Sequence, residues 1–235
     1  MHLSDGYNIL ELGYERGSLM KILNKLPKSN PSLHLDLIKN GWVPMKEPKN
    51  LISASLLSIP VMIVNAIISI GVINIFSSIS LSDFGMTSDS ISITINVAII
   101  FLLVLLLILH ELLHLIFIPN FIKSEKIYVG LTLLGGFVIT EEEISKSRYI
   151  FITIAPFMII SIIFPLILSV FGLLTTTLKF LIILNAMASS VDMLNFLLII
   201  KQVPKNATLK SNGPDTYWKN IQINEKSEYN DSPLI

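Results

Sequence analysis

The sequence predicts an all-α membrane protein: four transmembrane helices with both termini in the cytosol. Three observations predict it. Of 235 residues, 52% are hydrophobic and 14% charged, against about 25% charged in a soluble domain, and the mean hydropathy is +0.69. Four apolar stretches are long enough for a bilayer core, which needs about 20 residues. The basic residues are also strongly one-sided along the chain.

The first span is expected from about Leu51 to Phe76, with Pro60 inside it, and the second from about Ile91 to Ile118. The third runs from about Tyr149 to Leu174 with Pro156 and Pro165, and the fourth from about Leu178 to Ile200. Prolines are tolerated in such helices because neighbouring helices or water satisfy the freed carbonyls. No internal repeat is visible. Residues 1–50 form a cytosolic N-terminal region, 51–200 a four-helix membrane domain, and 201–235 a cytosolic tail lying along the membrane surface. No secretory signal is apparent, because the first apolar run starts only near Leu51, so the N-terminal region is expected to be retained.

Seven basic residues precede Leu51, four lie between the second and third spans, and five follow the fourth. Residues 77–90 and 175–177 contain none, leaving Lys179 alone on that side. The split of 16 against 1 places the termini inside. Between spans two and three, IYVGLTLLGGFVIT (residues 127–140) is apolar, β-branched and interrupted by Gly130, Gly135 and Gly136. It reads either as a short β-hairpin or re-entrant loop at the membrane face, with glycines at its turn, or as an ordinary hydrophobic loop under the helices. The absence of cysteine excludes a disulfide framework, a thiolate metal site and a cysteine nucleophile. With a net charge of zero, no nucleic-acid partner is expected.

Inside the spans, setting aside the border residues Tyr149 and Lys179, the ionisable residues are His110, Glu111, His114 and Asp192. A charge at the bilayer centre costs roughly 2.5–3.5 kcal/mol on insertion scales, so such groups point to function. His110 and His114 are four residues apart and share a helix face. His-Glu-x-x-His is the zincin pattern: two imidazoles hold a metal, and the glutamate beside them polarises water. A catalytic zinc normally takes three protein ligands, and Asp192 is the expected third. Counted from the inner ends of their spans, His110, His114 and Asp192 lie roughly 12, 6 and 12 Å deep at 1.5 Å per residue. Glu141, Glu142 and Glu143 are rival ligands, although a solvated acidic cluster is the simpler reading of them. Asn185 and Asn195 share the helical face of Asp192. Either could orient its carboxylate, and ordinary interhelical hydrogen bonding is the simpler reading for both. His2 and His34 are expected at the surface.

HELLH on a membrane helix, SKSRYIFITIAPF (145–157), SSVDMLNFLLIIKQVPKNA (189–207) and the lead-in GWVPMKEPKN (41–50) resemble the putative zincin peptidases, a family of small bacterial integral membrane proteins. The resemblance covers about residues 35–220, and only its zinc motif is highly specific. More distantly, the arrangement is similar to the site-2 (intramembrane) metalloproteases, where a later Asp completes the zinc site. That likeness implies His110, His114 and Asp192 as Zn2+ ligands and Glu111 as general base. It departs from the site-2 pattern in that Met193, not Gly, follows Asp192, and no PDZ-like domain is present.

The expected function is a membrane-embedded zinc metalloprotease of the bacterial cytoplasmic membrane. It would hydrolyse peptide bonds of a membrane or membrane-proximal protein through metal-activated water, with the bilayer itself as a partner. The alternatives are a non-proteolytic metal-binding or transport protein and a catalytically silent scaffold. Four spans without repeats or a polar pathway argue against transport, and an intact motif argues against the scaffold.

Overall fold

In the computed structural model, which describes residues 20–80, 97–132 and 135–220, helices predominate but share the chain with two β-sheets. In chain order the elements begin with β1 (Lys21–Leu23), α1 (Pro31–Lys39), β2 (Val43–Pro44), α2 (Leu51–Leu57), α3 (Ile59–Asn74) and α4 (Val97–Ile116). A 3-10 turn (Phe121–Lys123), β3 (Ile127–Thr132), β4 (Gly135–Thr140), β5 (Ile144–Ser145) and α5 (Lys146–Pro156) follow. A π-helical segment (Phe157–Ile163) leads into α6 (Phe164–Val170), α7 (Thr176–Ala188), α8 (Ser190–Gln202), β6 (Ala207–Asn212) and β7 (Asp215–Asn220). The expectation of an all-α protein is therefore corrected. The chain divides into two compact units. One comprises Met1–Glu47, Leu115–Ile152 and Leu197–Ile235, and the other Pro48–His114 and Thr153–Phe196.

The first unit carries both sheets. In one, β3 and β4 form an antiparallel hairpin, with Thr132 opposite Gly135, and β1 adds in parallel on the other side of β3. This selects the hairpin among the readings of residues 127–140. Gly135, at φ 139°, serves the turn, where a side chain would be strained. Gly130 does not: it lies inside β3, where an added Cβ would sit 2.0 Å from the Leu23 carbonyl oxygen. Glycine there is what lets β1 approach.

The second sheet has the order β2-β7-β6-β5, every pair antiparallel. Residues 207–220, read from the sequence as a polar tail, form the β6–β7 hairpin. Ala207, Leu209 and Ser211 alternate inward, and Gly213 takes φ 58° at the turn. Met45, Ile199, Val203, Ala207 and Leu209 make one apolar cluster of this unit, and Leu115, Ile118, Ile127, Ile144 and Ile152 another. Asn30 caps α1 by accepting from the Ser32 and Leu33 N–H groups, with Pro31 pre-set in the first turn. Glu47 accepts from the Thr216 N–H at 2.8 Å, while burial pushes its carboxyl pKa up. His34, expected at the surface, is half-buried, with Nδ1 2.7 Å from the Tyr217 hydroxyl. His2 lies outside the described residues.

The second unit is helical. Its first expected span is two helices, α2 and α3, bent by 54°. Pro60 has no N–H, and its ring crowds the carbonyl four residues earlier, so the break falls at Ser58. Asn50 and Ser53 form a capping box that starts α2. The fourth expected span is likewise two helices, α7 and α8, bent by 41° at Ser189. There the Ser189 hydroxyl donates back to the Asn185 carbonyl at 2.9 Å, a bond that bends helices.

The third expected span is continuous over Lys146–Val170, but it widens into a π-turn, with the Phe164 N–H donating to Ile159. The widening falls just ahead of Pro165, whose ring cannot fit a regular α-turn. The second span is α4, and its expected start at Ile91–Asn96 lies outside the described residues. Buried polar contacts join α3 to α7, and the bend before α3 to the start of α8. Asn65 Nδ2 donates to the Ala186 carbonyl at 3.0 Å, and the hydroxyls of Ser58 and Ser190 lie 3.2 Å apart. Small residues on α7 permit that approach.

Among the described residues, two helical stretches, Val97–Ile116 and Lys146–Val170, are long and apolar enough to cross a membrane, or up to four if each bent pair is one span. Exposed side chains along α3 and α4 include Ile63, Ile67, Phe101, Val104 and Ile108, a surface consistent with membrane insertion.

Candidate metal centre

Two histidines four positions apart on a helix stack about one turn apart. On α4, His110 and His114 have ring centroids 5.1 Å apart and planes inclined at 71°. Asp192 lies in the first turn of α8, immediately after the bend. Its Oδ2 is 3.2 Å from His110 Nε2, and its Oδ1 is 3.5 Å from His114 Nε2. One carboxylate thus faces both imidazoles. Both rings are buried, and Asp192 is half-buried.

The proton on His110 can be assigned from its neighbours. Asn185 Nδ2 donates to the Pro156 carbonyl at 3.2 Å, a group that only accepts, and to the Ser161 hydroxyl at 2.9 Å. Asn185 Oδ1 therefore faces His110 Nδ1 at 2.9 Å and accepts its proton. In a neutral His110, Nε2 then presents a lone pair toward Asp192. Two acceptors 3.2 Å apart repel unless a proton or a metal cation lies between them. The Ser161 hydroxyl in turn donates to the Ile182 carbonyl at 3.1 Å, which ties the asparagine's support to backbone.

Among the described residues, His110, His114 and Asp192 form a group that could hold a metal ion, with one ligand atom from each and all three within 4.8 Å of one another. Two imidazole nitrogens and a carboxylate oxygen are a donor set suited to zinc. Glu111, next along α4, stands outside that trio but is close enough to interact electrostatically with all three.

The other candidates take different roles. Glu142 accepts from the Ser124 hydroxyl at 2.7 Å and approaches Lys126 at 3.9 Å, and Glu143 pairs with Lys210 at 3.7 Å. The Glu141 N–H closes onto the Lys126 carbonyl at 2.8 Å. These glutamates belong to the strand-bearing unit, whereas the histidines and Asp192 belong to the helical one. Asn185 is an orienting residue, but it orients His110, while Asp192 interacts with the two imidazoles. Pro156, read from the sequence only as a proline within the third span, and Ser161 support the centre through Asn185. A proline inside an apolar helix was the signal available for them.

No curated protein and no solved structure matches the chain. A family model described as "Putative zincin peptidase" matches residues 103–208. That stretch takes in His110, Glu111, His114, Asn185 and Asp192, so over the part that carries the candidate centre this chain is similar to the zincin peptidases.

Proposed function

We propose that this protein is a membrane-embedded zinc metallopeptidase that cleaves membrane or membrane-proximal proteins in the bacterial cytoplasmic membrane, with both termini in the cytosol. The observation that carries the reading is the convergence of three ligand atoms, from two helices, within 4.8 Å. The zincin family match supports the same chemistry.

In this mechanism His110, His114 and Asp192 would hold the metal, which when bound would supply Lewis acidity near neutral pH. Glu111 accepts the proton of the attacking water and delivers it to the leaving amine. Asn185 fixes the His110 ring so that Nε2, not Nδ1, is the ligand atom. Burial of both imidazoles limits competing solvent at the donor atoms.

The test is metal content in detergent-purified protein. Wild type should hold about one zinc per chain. His114→Ala and Asp192→Ala should lose it, and Glu143→Ala should keep it. A wild-type protein without zinc or another transition metal would reduce the centre to a polar network and overturn the reading.

Asn185→Ala should weaken zinc binding by about 10–100-fold, measured by competition with a chromophoric chelator. An unchanged affinity would mean that the His110 ring needs no hold on Nδ1.

A further inference from the structure

A recess of about 530 Å³ lies in the strand-bearing unit, where α4 ends and α5 begins. Its walls include Ile116, Phe117, Ile122 and Phe151, with Lys123 and Arg148 contributing the charge. The rings of Phe117 and Phe151 meet edge to face, with centroids 4.7 Å apart and planes at 77°, a packed arrangement that stiffens the apolar wall. Asn120 takes a left-handed conformation, φ 53° and ψ 30°, and its carbonyl accepts the Lys123 N–H at 2.9 Å. This turn folds the chain back after α4. No acidic side chain lines the recess, and Lys123, Arg148, Ile116, Ile122 and Phe151 are all exposed.

Its position says what such a surface would meet. Val97–Ile116 finishes at the recess and Lys146–Val170 begins there, and both are long and apolar enough to cross a bilayer. The end of a span is where acyl chains give way to phosphates. Apolar side chains beside two cations match an amphiphile with a hydrocarbon part and an anionic head. Arginine presents a planar fork to phosphate oxygens, and lysine a compact positive charge. A free phosphate ion would gain nothing from Ile122 or Phe151.

We propose that this recess is a binding site for an anionic phospholipid, with the phosphate held by Lys123 and Arg148 and the upper acyl chain against Phe117, Ile122 and Phe151. The proposal rests on insertion of the two spans in a bilayer, which is tested separately by resistance of the protein to carbonate extraction from membranes.

The experiment uses the full chain in a neutral detergent, with lipid adducts counted by native mass spectrometry. The probes are dioleoyl phosphatidylglycerol and dioleoyl phosphatidylcholine, which share acyl chains and differ in net charge. Wild type should retain phosphatidylglycerol in preference. The double variant Lys123→Gln/Arg148→Gln should cut that preference at least about tenfold, since each basic residue near an anionic surface contributes about a fivefold attraction. Lys39→Gln/Lys205→Gln, which removes two cations elsewhere, should leave it intact. Phe151→Ala should reduce retention of both lipids.

Equal retention of the two lipids by wild type, or an unchanged preference in the Lys123/Arg148 variant, overturns the proposal. Loss of the adduct on adding millimolar inorganic phosphate also overturns it, in favour of a soluble anion. Carbonate extraction of the wild type would instead overturn the membrane reading. Melting temperatures of the two charge variants, whose substituted residues are all exposed, should stay close to wild type and show that the loss is one of binding.

Discussion

Glu111→Gln should retain zinc and lose peptide hydrolysis by at least about a thousandfold, within the range that a positioned acid–base contributes. The substitution keeps the size of the side chain and its ability to hydrogen-bond. It removes the negative charge, and with it the capacity to take a proton from water and hand it on. The trio that could hold a metal is His110, His114 and Asp192, so metal content should not change. The measurement is fragment release from a fluorescently labelled unfolded reporter such as casein, alongside zinc content. An active Glu111→Gln would reject the general-base role. A variant that lost both metal and activity would assign Glu111 to holding the centre together.

The second large effect concerns the fold. Gly130→Ala should destabilise the protein by about 1–3 kcal/mol, the range of overpacking and forced backbone shifts. Its Cβ would lie 2.0 Å from the Leu23 carbonyl oxygen and 2.6 Å from the Phe137 ring. The ring can swing aside, but the carbonyl is backbone and β1 must move with it. The parallel pairing of Lys21–Leu23 with Tyr128–Gly130 should therefore be lost, and amide exchange at Ile22 and Leu23 should accelerate. Gly71→Ala is the control, because a Cβ at Gly71 in α3 meets nothing within 4 Å and helix propensity favours alanine. If the two variants melted together, the close approach of β1 would not matter to stability.

The parts of this protein legible in sequence are those fixed by local covalent geometry. His110 and His114 had to share a face because four residues make about one helical turn. Asp192 followed from counting depth along two helices, a count that tolerates error of a turn. Asn185 did not follow. It shares a helical face with Asp192, but the bend at Ser189 lies between them, and its amide meets His110 on α4 instead. Hydropathy windows average across such bends, so both broken spans read as single helices. The second sheet was hidden for another reason. Residues 207–220 carry alternation and a Gly213-Pro214 turn signal, but their outer partners, β2 and β5, are two residues each and too short to read as strands.

The interleaved chain path has a consequence for synthesis. The helical unit ends at Phe196 and α8, which carries Asp192, at Gln202, so His110, Glu111, His114 and Asp192, and the helices that carry them, have all been synthesised before β6 and β7. The strand-bearing unit starts earlier but waits for Val43 and Pro44 to meet Trp218 and Tyr217. At roughly 5–20 residues per second, that wait is on the order of 10–30 s. Throughout it, Trp42 and Leu37 lack Tyr217, the buried partner of their apolar cluster. The unit whose synthesis begins first is the one whose folding finishes last.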